Sequence, residues 1–264
     1  AEVCELSSAR CIISRISIMF TAVFLISSLV VTPQAAYADL SVFTPSTADT
    51  YIINALSNNN FGTLYVLVVV SAPQDQAHSL VKFDISSIPQ GATINLAYLM
   101  LYYSSNLGTN PAGRTVTANR VTKDWVELQA TWNSYKTGSP WTTPGGDYVP
   151  DGAASATVPA AYGWMTWTVT DIVKAWIQGG QPNYGFLVKF ADEDQVGEVQ
   201  FHTREYTYEP DLRPILKVDW TPSRPVGGVV TPVNKLQMLV PYLALAGLVG
   251  AATAAFTIRK RRRD

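Results

Sequence analysis

The chain contains few cysteines and histidines, and this scarcity limits what it can do. Of its 264 residues only two are cysteine, Cys4 and Cys11, and only two are histidine, His78 and His202. Both cysteines precede an apolar run that covers residues 16–31, so no cysteine follows that run. A disulfide framework is therefore excluded from the rest of the chain, and packing must stabilise its fold.

The sequence also lacks the short motifs that usually mark a catalytic centre. It contains no Gly-x-Ser-x-Gly elbow, no phosphate-binding loop and no His-Glu-x-x-His zinc motif. Each histidine lies at the end of a predicted strand, which favours a structural role. His202 with Arg204 and Tyr206 could instead supply base and acid in a polysaccharide lyase, and this alternative stays open.

Positive charge is scarce outside the last few residues. Residues 39–237 carry 12 Lys or Arg against 17 Asp or Glu, a net charge of −5, whereas five of the last six residues are basic. Nucleic acid phosphates require a basic surface. The acidic middle of the chain therefore argues against a nucleic acid partner.

The first 38 residues have the order of a secretory signal. Arg10 and Arg15 lie before or at the start of the apolar run, and Ala36-Tyr37-Ala38 follows it as a small-x-small cleavage site. We expect residues 1–38 to be a signal peptide that is cleaved after Ala38. An uncleaved membrane anchor is the alternative.

The C-terminal residues predict attachment to a membrane. Residues 221–237 are rich in Pro, Gly and Thr and are predicted to form a stalk. Residues 238–258 carry no charge and are long enough for a transmembrane helix, and the basic residues 259–264 predict a cytoplasmic tail. The expected localisation is the cell surface of a prokaryote, as a single-pass membrane protein with residues 39–220 outside.

Residues 39–220 are dominated by short strand patterns. Val81, Phe83 and Ile85 alternate with polar residues, and residues 93–103 are apolar on both faces, which predicts a central strand covered on each side. The predicted strands are 41–43, 63–71, 80–85, 93–103, 115–121, 165–169, 184–190, 198–202 and 215–220. Many short strands with polar turns predict an all-β antiparallel sandwich, most simply a jelly roll.

One short helix is predicted within this region. Thr170 or Asp171 is its expected cap, and Gly179-Gly180 is its expected end. Its apolar residues fall on one side: Ile172, Val173, Trp176 and Ile177. Residues 133–163, which are rich in Gly and Pro, are predicted as a long loop, with a short hairpin around Tyr148 as an equal alternative.

Seven short motifs occur in an order that resembles one known family. They are Asp49-Thr50-Tyr51, Lys82-Phe83-Asp84, Trp125-Val126-Glu127, Thr131-Trp132-Asn133, Val169-Thr170-Asp171-Ile172-Val173, Asn183-Tyr184-Gly185 and Arg204-Glu205. Over about residues 42–220 the chain resembles the DNRLRE domain, also classed as carbohydrate-binding module family 96. It departs at His78, where the family usually has Arg, and at Thr203, where Ser is usual. The resemblance implies a jelly-roll sandwich that binds extracellular or envelope polysaccharide without catalysis.

Aromatic residues of the irregular stretch are the candidates for sugar binding. Sugar rings stack on exposed aromatic faces, and loops present such faces to solvent. Trp141, Tyr148, Tyr162 and Trp164 belong to this stretch and are the predicted carbohydrate-binding residues. The alternative is that these four side chains only hold a long loop in place.

An acidic turn is the candidate for a metal site. Asp192, Glu193 and Asp194 follow one another between two predicted strands, and oxygen-rich turns can bind calcium. We therefore expect Asp192 and Asp194 to be the ligands if a structural calcium is present. An ordinary solvated hairpin tip is the alternative.

A purely structural role is the main alternative to polysaccharide binding. The same sandwich could serve as an envelope or adhesion protein that acts through protein–protein contacts, including self-association. The Arg204-Glu205 pair is expected to form a structural ion pair, which weakens the lyase alternative.

Overall fold

A computed structural model describes residues 38–223 of the chain. Within these residues there are thirteen strands, one α-helix, and two single-turn 3-10 helices at Asn54–Leu56 and Pro210–Leu212. The strands and the helix are β1 Asp39–Phe43, β2 Ala48–Ile53, β3 Val66–Ser71, β4 Ala77–Lys82, β5 Thr93–Ser105, β6 Thr115–Val121, β7 Ser134–Lys136, β8 Ser139–Pro140, β9 Tyr148–Thr157, β10 Gly163–Thr168, α1 Thr170–Ile177, β11 Phe186–Phe190, β12 Gly197–His202 and β13 Ile215–Thr221.

Eleven of these strands form one curled antiparallel sheet. Its order is β1-β13-β5-β12-β3-β4-β11-β6-β9, with β10 paired to β5 and β2 paired to β4. Strands β7 and β8 form a separate small hairpin. The curl brings the two halves of the sheet face to face, and the predicted all-β antiparallel fold with one short helix is confirmed.

The core lies between the two halves of the sheet. Because side chains alternate along a strand, every second residue points inward. The largest inward side chains that are fully buried include Phe83, Leu99, Tyr103, Trp167, Phe186, Phe190 and Phe201. The Trp167 indole N–H donates to the Val116 carbonyl at 2.9 Å, so even this polar atom is satisfied inside the core.

Strand β5 is central, but only one of its faces is fully buried. It pairs with β13, β12 and β10, and its inward residues include Ala97, Leu99 and Leu101, each 0 % exposed. The outward residues Tyr98 and Tyr102 are only half-buried. The expectation that layers cover both faces of this strand was wrong, because its outer face borders solvent.

Helix α1 packs its apolar side on the core as predicted, since Ile172, Val173, Trp176 and Ile177 are all buried. The expected cap was wrong. The helix begins after Val169 without a side-chain cap, and Thr170 Oγ1 instead accepts a hydrogen bond from the Ala97 amide at 3.0 Å. Thr170 therefore ties the helix to β5 rather than closing its own first turn.

Four strands, β2, β7, β8 and β9, lie where the sequence shows little strand pattern. Strand β2 pairs along its whole length with β4, and β9 pairs with β6 inside the stretch that was predicted as a loop or a hairpin. Strand β9 contains Pro150 and Gly152, which weaken strand propensity. Pairing with β6 overrides this local preference.

One outer face of the sandwich carries a second apolar cluster. The sheet contributes Ile52, Leu80, Val121 and Leu187, and residues 122–147 lie over them. The covering residues are Trp125, Ala130, Trp132 and Trp141, all buried. We call this side the covered face.

The expected membrane topology is corrected. Among residues 38–223 no helix has the length and apolarity required to cross a membrane. This finding overturns the localisation as a single-pass cell-surface protein. The segments on which that expectation rested, residues 1–37 and 224–264, lie outside the described residues.

Candidate functional site

The opposite outer face carries a run of aromatic side chains, which we call the aromatic strip. It consists of Tyr65, Tyr102, Trp164, His202, Tyr206 and Tyr208. Strand alternation explains part of the strip: on β10, Met165 and Trp167 are buried in the core, so Trp164 points outward. Trp164 lies directly opposite Tyr102 of β5 in the antiparallel register.

The rings of the strip contact one another in sequence. Ring centroids are 5.5 Å apart between Trp164 and Tyr102, and 5.5 Å between Tyr102 and His202. From there the separations are 3.6 Å to Tyr206, 5.8 Å on to Tyr208, and 6.5 Å from Tyr208 to Tyr65. Four of these five separations lie in the range of about 4.5–7 Å that is typical of favourable aromatic pairs, and His202 and Tyr206 are stacked more closely.

His202 is the buried centre of the strip. Tyr206 lies flat over its ring with an interplanar angle of 11°, and Tyr102 is nearly parallel at 8°. Burial lowers the pKa of His202, opposed by the charge of Glu209, so the imidazole is held neutral near pH 7. Because its ring is nearly parallel to both tyrosine rings, His202 serves as a stacking element of the strip.

The two ends of the strip differ in exposure. Tyr208 is 80 % exposed and Tyr65 is 53 % exposed, whereas Trp164 and Tyr102 are half-buried. Thr166 and Thr168 share the outward face of β10 with Trp164 and are both exposed. The strip therefore offers aromatic faces and hydroxyl groups to the same side of the molecule.

An acidic cluster lies next to the strip, formed by Asp49, Glu127 and Glu205 around Arg204. The Asp49 amide donates to Glu127 Oε1 at 2.8 Å, and Arg204 Nη2 lies 2.7 Å from Glu127 Oε2. Arg204 Nε lies 2.8 Å from Glu205 Oε1, so the predicted Arg204–Glu205 ion pair is confirmed. These contacts tie the Arg204 side chain to the acidic cluster.

Asp49 is the most deeply buried member of the cluster, with 1 % of its surface exposed. Its Oδ2 accepts hydrogen bonds from the Ser46 hydroxyl and from the Arg204 amide. The pKa of Asp49 is raised to about 7, mainly by burial. These hydrogen bonds act against the rise, and the charges of Glu205 and Glu127 add to it. Burial also raises the pKa of Glu127. The acidic cluster therefore carries more negative charge than Arg204 balances.

The four aromatic residues that were predicted to bind carbohydrate lie in different parts of the structure. Trp164 belongs to the strip, and Tyr162 is 56 % exposed nearby, with its ring 5.0 Å from Tyr103. Trp141 lies in the covered face, 4 % exposed, and its indole N–H donates to the Thr131 carbonyl at 2.9 Å. Tyr148 packs half-buried against the same face. Trp141 thus has almost no surface to offer a sugar.

The acidic turn uses its oxygen atoms internally. Asp192 Oδ1 accepts from the Asp194 amide at 3.0 Å, and Asp192 Oδ2 accepts from the Gln195 side chain at 2.7 Å. The Asp192 carbonyl accepts from Arg114 at 2.6 Å. These bonds stabilise the turn that connects β11 and β12, which pair with different strands. The acidic cluster around Asp49, by contrast, brings three carboxylates together.

Several members of both features were not recognised as site residues in the sequence. Tyr206 was considered only for the lyase alternative, Tyr208 follows it in a turn without periodicity, and Tyr65 comes from a different part of the chain. Asp49 and Glu127 stand in two of the quoted motifs, but the motifs do not show that their side chains meet. Only the long-range pairing of β2, β3 and β12 brings these residues together.

Comparison with known families agrees with this fold. The model of carbohydrate-binding module family 96 matches residues 41–215, about two thirds of the chain. The match covers β2 to the start of β13 and contains every residue of the strip and of the acidic cluster. The curated proteins contain no match to the chain.

Proposed function

The chain belongs to carbohydrate-binding module family 96, and on this premise we propose that it is a non-catalytic module that binds polysaccharide by stacking sugar rings on the aromatic strip. The sandwich is then a jelly roll whose open outer face is the binding surface. The observation that carries the proposal is the continuous run of rings from Trp164 to Tyr208 on a solvent-facing side of the molecule.

The physical basis is the match between a sugar and an aromatic ring. The C–H face of a pyranose is apolar, and it packs on the face of a tyrosine or tryptophan, while its hydroxyls require polar partners at the edge. The exposed Thr166 and Thr168 and the half-buried Gln200 lie on the same outward side of β10 and β12. They supply these partners around Trp164 and Tyr102.

An elongated ligand fits the strip better than a single sugar. The contacting rings extend from Trp164 on β10 to Tyr208 beyond β12, across three neighbouring strands. A polysaccharide can occupy several of these rings at once, and contacts that are weak one by one add up along a chain. Tyr162 remains a candidate for an additional contact beside the strip.

The proposal is tested by affinity electrophoresis of the full chain in gels that contain different polysaccharides, followed by one matched pair of variants. Tyr208→Ala and Tyr162→Ala remove the same exposed side chain, but only Tyr208 belongs to the strip. We expect retention by a polysaccharide, reduced about tenfold or more by Tyr208→Ala and less than about threefold by Tyr162→Ala, as for a contact within the binding surface and one beside it.

Two results would contradict the proposal in different ways. Equal loss in both variants would support carbohydrate binding at a surface other than the strip. If no polysaccharide retained the chain and it associated with itself in solution, a structural role through protein–protein contacts would replace carbohydrate binding.

A further inference from the structure

The acidic cluster contains oxygen atoms that the protein leaves without partners. Among residues 38–223, Asp49 Oδ1 and Glu205 Oε2 are both buried and lack a hydrogen-bond partner. Asp49 is 1 % exposed, so bulk solvent does not supply the missing hydrogen bond. A buried acceptor without a partner destabilises a fold, unless something else binds there.

The geometry points to a cation. Asp49, Glu127 and Glu205 each place one carboxylate oxygen so that the three atoms lie within 4.8 Å of one another. We propose that these three carboxylates form a calcium site, with Asp49 Oδ1 and Glu205 Oε2 as direct ligands. The oxygen spacing suits an ion whose oxygen ligands lie about 2.3–2.6 Å from it.

The charges of the cluster favour a divalent ion. Three carboxylates face one guanidinium, that of Arg204, which already pairs with Glu127 and Glu205. Two negative charges are left over when all three acids are ionised. A bound Ca²⁺ neutralises both, whereas a single proton on Asp49 neutralises only one.

Calcium fits the cluster better than magnesium. Magnesium prefers a near-ideal octahedral shell and keeps several waters, while calcium accepts six to eight oxygens in a flexible arrangement. The acids come from three separate parts of the chain and have unequal burial, with side-chain exposures of 12 % for Glu127 and 22 % for Glu205. Glu205 is the more exposed of these two acids, and water would complete the shell on its side of the site.

Such an ion would join segments that are distant in the sequence. It would link β2 through Asp49, the segment over the covered face through Glu127, and the turn after β12 through Glu205. That turn also carries Tyr206 and Tyr208 of the aromatic strip. Calcium would therefore stabilise the fold and hold one end of the strip in place, whether or not the strip binds a polysaccharide.

The test compares thermal unfolding of the full chain in EDTA and in CaCl₂, together with calorimetric titration of the EDTA-treated protein with Ca²⁺. We expect one Ca²⁺ per chain, and a folding equilibrium constant that rises about 100-fold at a free Ca²⁺ concentration of about 100 times the dissociation constant. MgCl₂ at the same concentration should produce a smaller rise.

Glu205→Gln separates a metal ligand from a simple ion-pair partner of Arg204. In EDTA we expect this variant to be at least as stable as the unmodified chain, because it removes one of three repelling charges. In CaCl₂ the order should reverse, because the variant has lost a ligand. Asp49→Asn should also abolish the calcium response, and Glu205→Gln decides alone if Asp49→Asn does not fold.

Asp192→Asn is the matched control at the other acidic turn, and it should leave the calcium response unchanged. The inference is overturned if the unmodified chain shows no calcium binding. It is equally overturned if Glu205→Gln loses the same stability in both media, or if Asp192→Asn is the variant that loses the response.

Discussion

The two outer faces of the sandwich use aromatic residues in opposite ways. On the covered face, residues 122–147 lie over the sheet, and their Trp125, Trp132 and Trp141 pack against it and are at most 9 % exposed. On the open face, Trp164 and its tyrosine neighbours contact one another but keep surface towards solvent. One face therefore uses its rings for stability, and the other has them available for a ligand.

This difference shows that the number of aromatic residues says little about binding. Trp141 and Trp164 both follow irregular sequence, yet one donates its indole N–H to the Thr131 carbonyl inside the protein and the other stands outward on β10. The deciding factor is whether another segment lies over the sheet. Variants of the two faces should consequently change different quantities.

The largest expected effect is on the covered face. Trp141→Ala should reduce the free energy of unfolding by about 3–5 kcal/mol, because it removes a large buried side chain and leaves a cavity. Urea denaturation followed by circular dichroism measures this loss. Polysaccharide affinity per folded molecule should stay unchanged, and an unchanged stability with lost affinity would reverse the assignment of the two faces.

Trp164→Ala should show the opposite pattern on the open face. We expect polysaccharide affinity to fall about 30-fold, which corresponds to about 2 kcal/mol for a central aromatic contact. The free energy of unfolding should fall by only about 1 kcal/mol, through the lost contact with Tyr102. Thr168→Val, which removes one proposed hydroxyl partner but no ring, should lower the affinity less than Trp164→Ala does. A full loss of folding in Trp164→Ala would place this residue in the core.

Gly145→Ala probes the packing inside the covering segment, which contains both Gly145 and Trp132. Gly145 has a φ of +96°, and a Cβ there would lie 2.9 Å from the Trp132 ring. We expect a loss of about 1–3 kcal/mol in the free energy of unfolding. Gly138→Ala, with a φ of +72° and open space around the added Cβ, carries the backbone cost alone. Equal losses in both variants would mean that contact with Trp132 is unimportant.

Acid should weaken the attachment of the covering segment. His78 lies 2.6 Å from the Gly145 carbonyl and 2.7 Å from Glu193 Oε1, and Lys189 also pairs with Glu193. Burial favours a higher pKa for Glu193, but His78 and Lys189 outweigh it and hold the pKa below its usual value of 4.5. The stabilisation by the charged Glu193 is therefore complete above about pH 4.5. It is lost as the pH falls through the lower pKa that Glu193 has in the folded chain.

The corresponding measurement compares Glu193→Gln with the unmodified chain at several pH values. At pH 6–7 we expect Glu193→Gln to be less stable by roughly 1 kcal/mol. The difference should shrink as the pH falls below about 4.5. A difference that stays constant down to pH 3 would show that the charge of Glu193 does not contribute.

The sequence was most informative where the chain alternates. Val81, Phe83 and Ile85 show a period of two, and all three lie in the core. The helix was found for the same reason, because its apolar residues recur on one side. Strand β9 was missed because Pro150 and Gly152 give it a loop-like composition, and only its partner β6 makes it a strand.

The candidate site was harder to predict because it depends on long-range contacts. Trp164 was selected as part of an irregular stretch, whereas it is the register of β10 on β5 that turns it outward. The strip also needs Tyr65 and Tyr208, which meet only after β3 and β12 pair. No local pattern marks such residues, although the family resemblance anticipated the fold.

The pairing of β1 with β13 has a mechanical consequence. Asp39 lies opposite Trp220, and the indole N–H of Trp220 donates to the Ser41 hydroxyl at 3.0 Å. The first and last strands of the sandwich therefore enter and leave it side by side at one corner. A pulling force applied between residues 39 and 220 would break the hydrogen bonds between β1 and β13 one after another. Strand β1 should thus detach at low force while the rest of the sandwich stays intact.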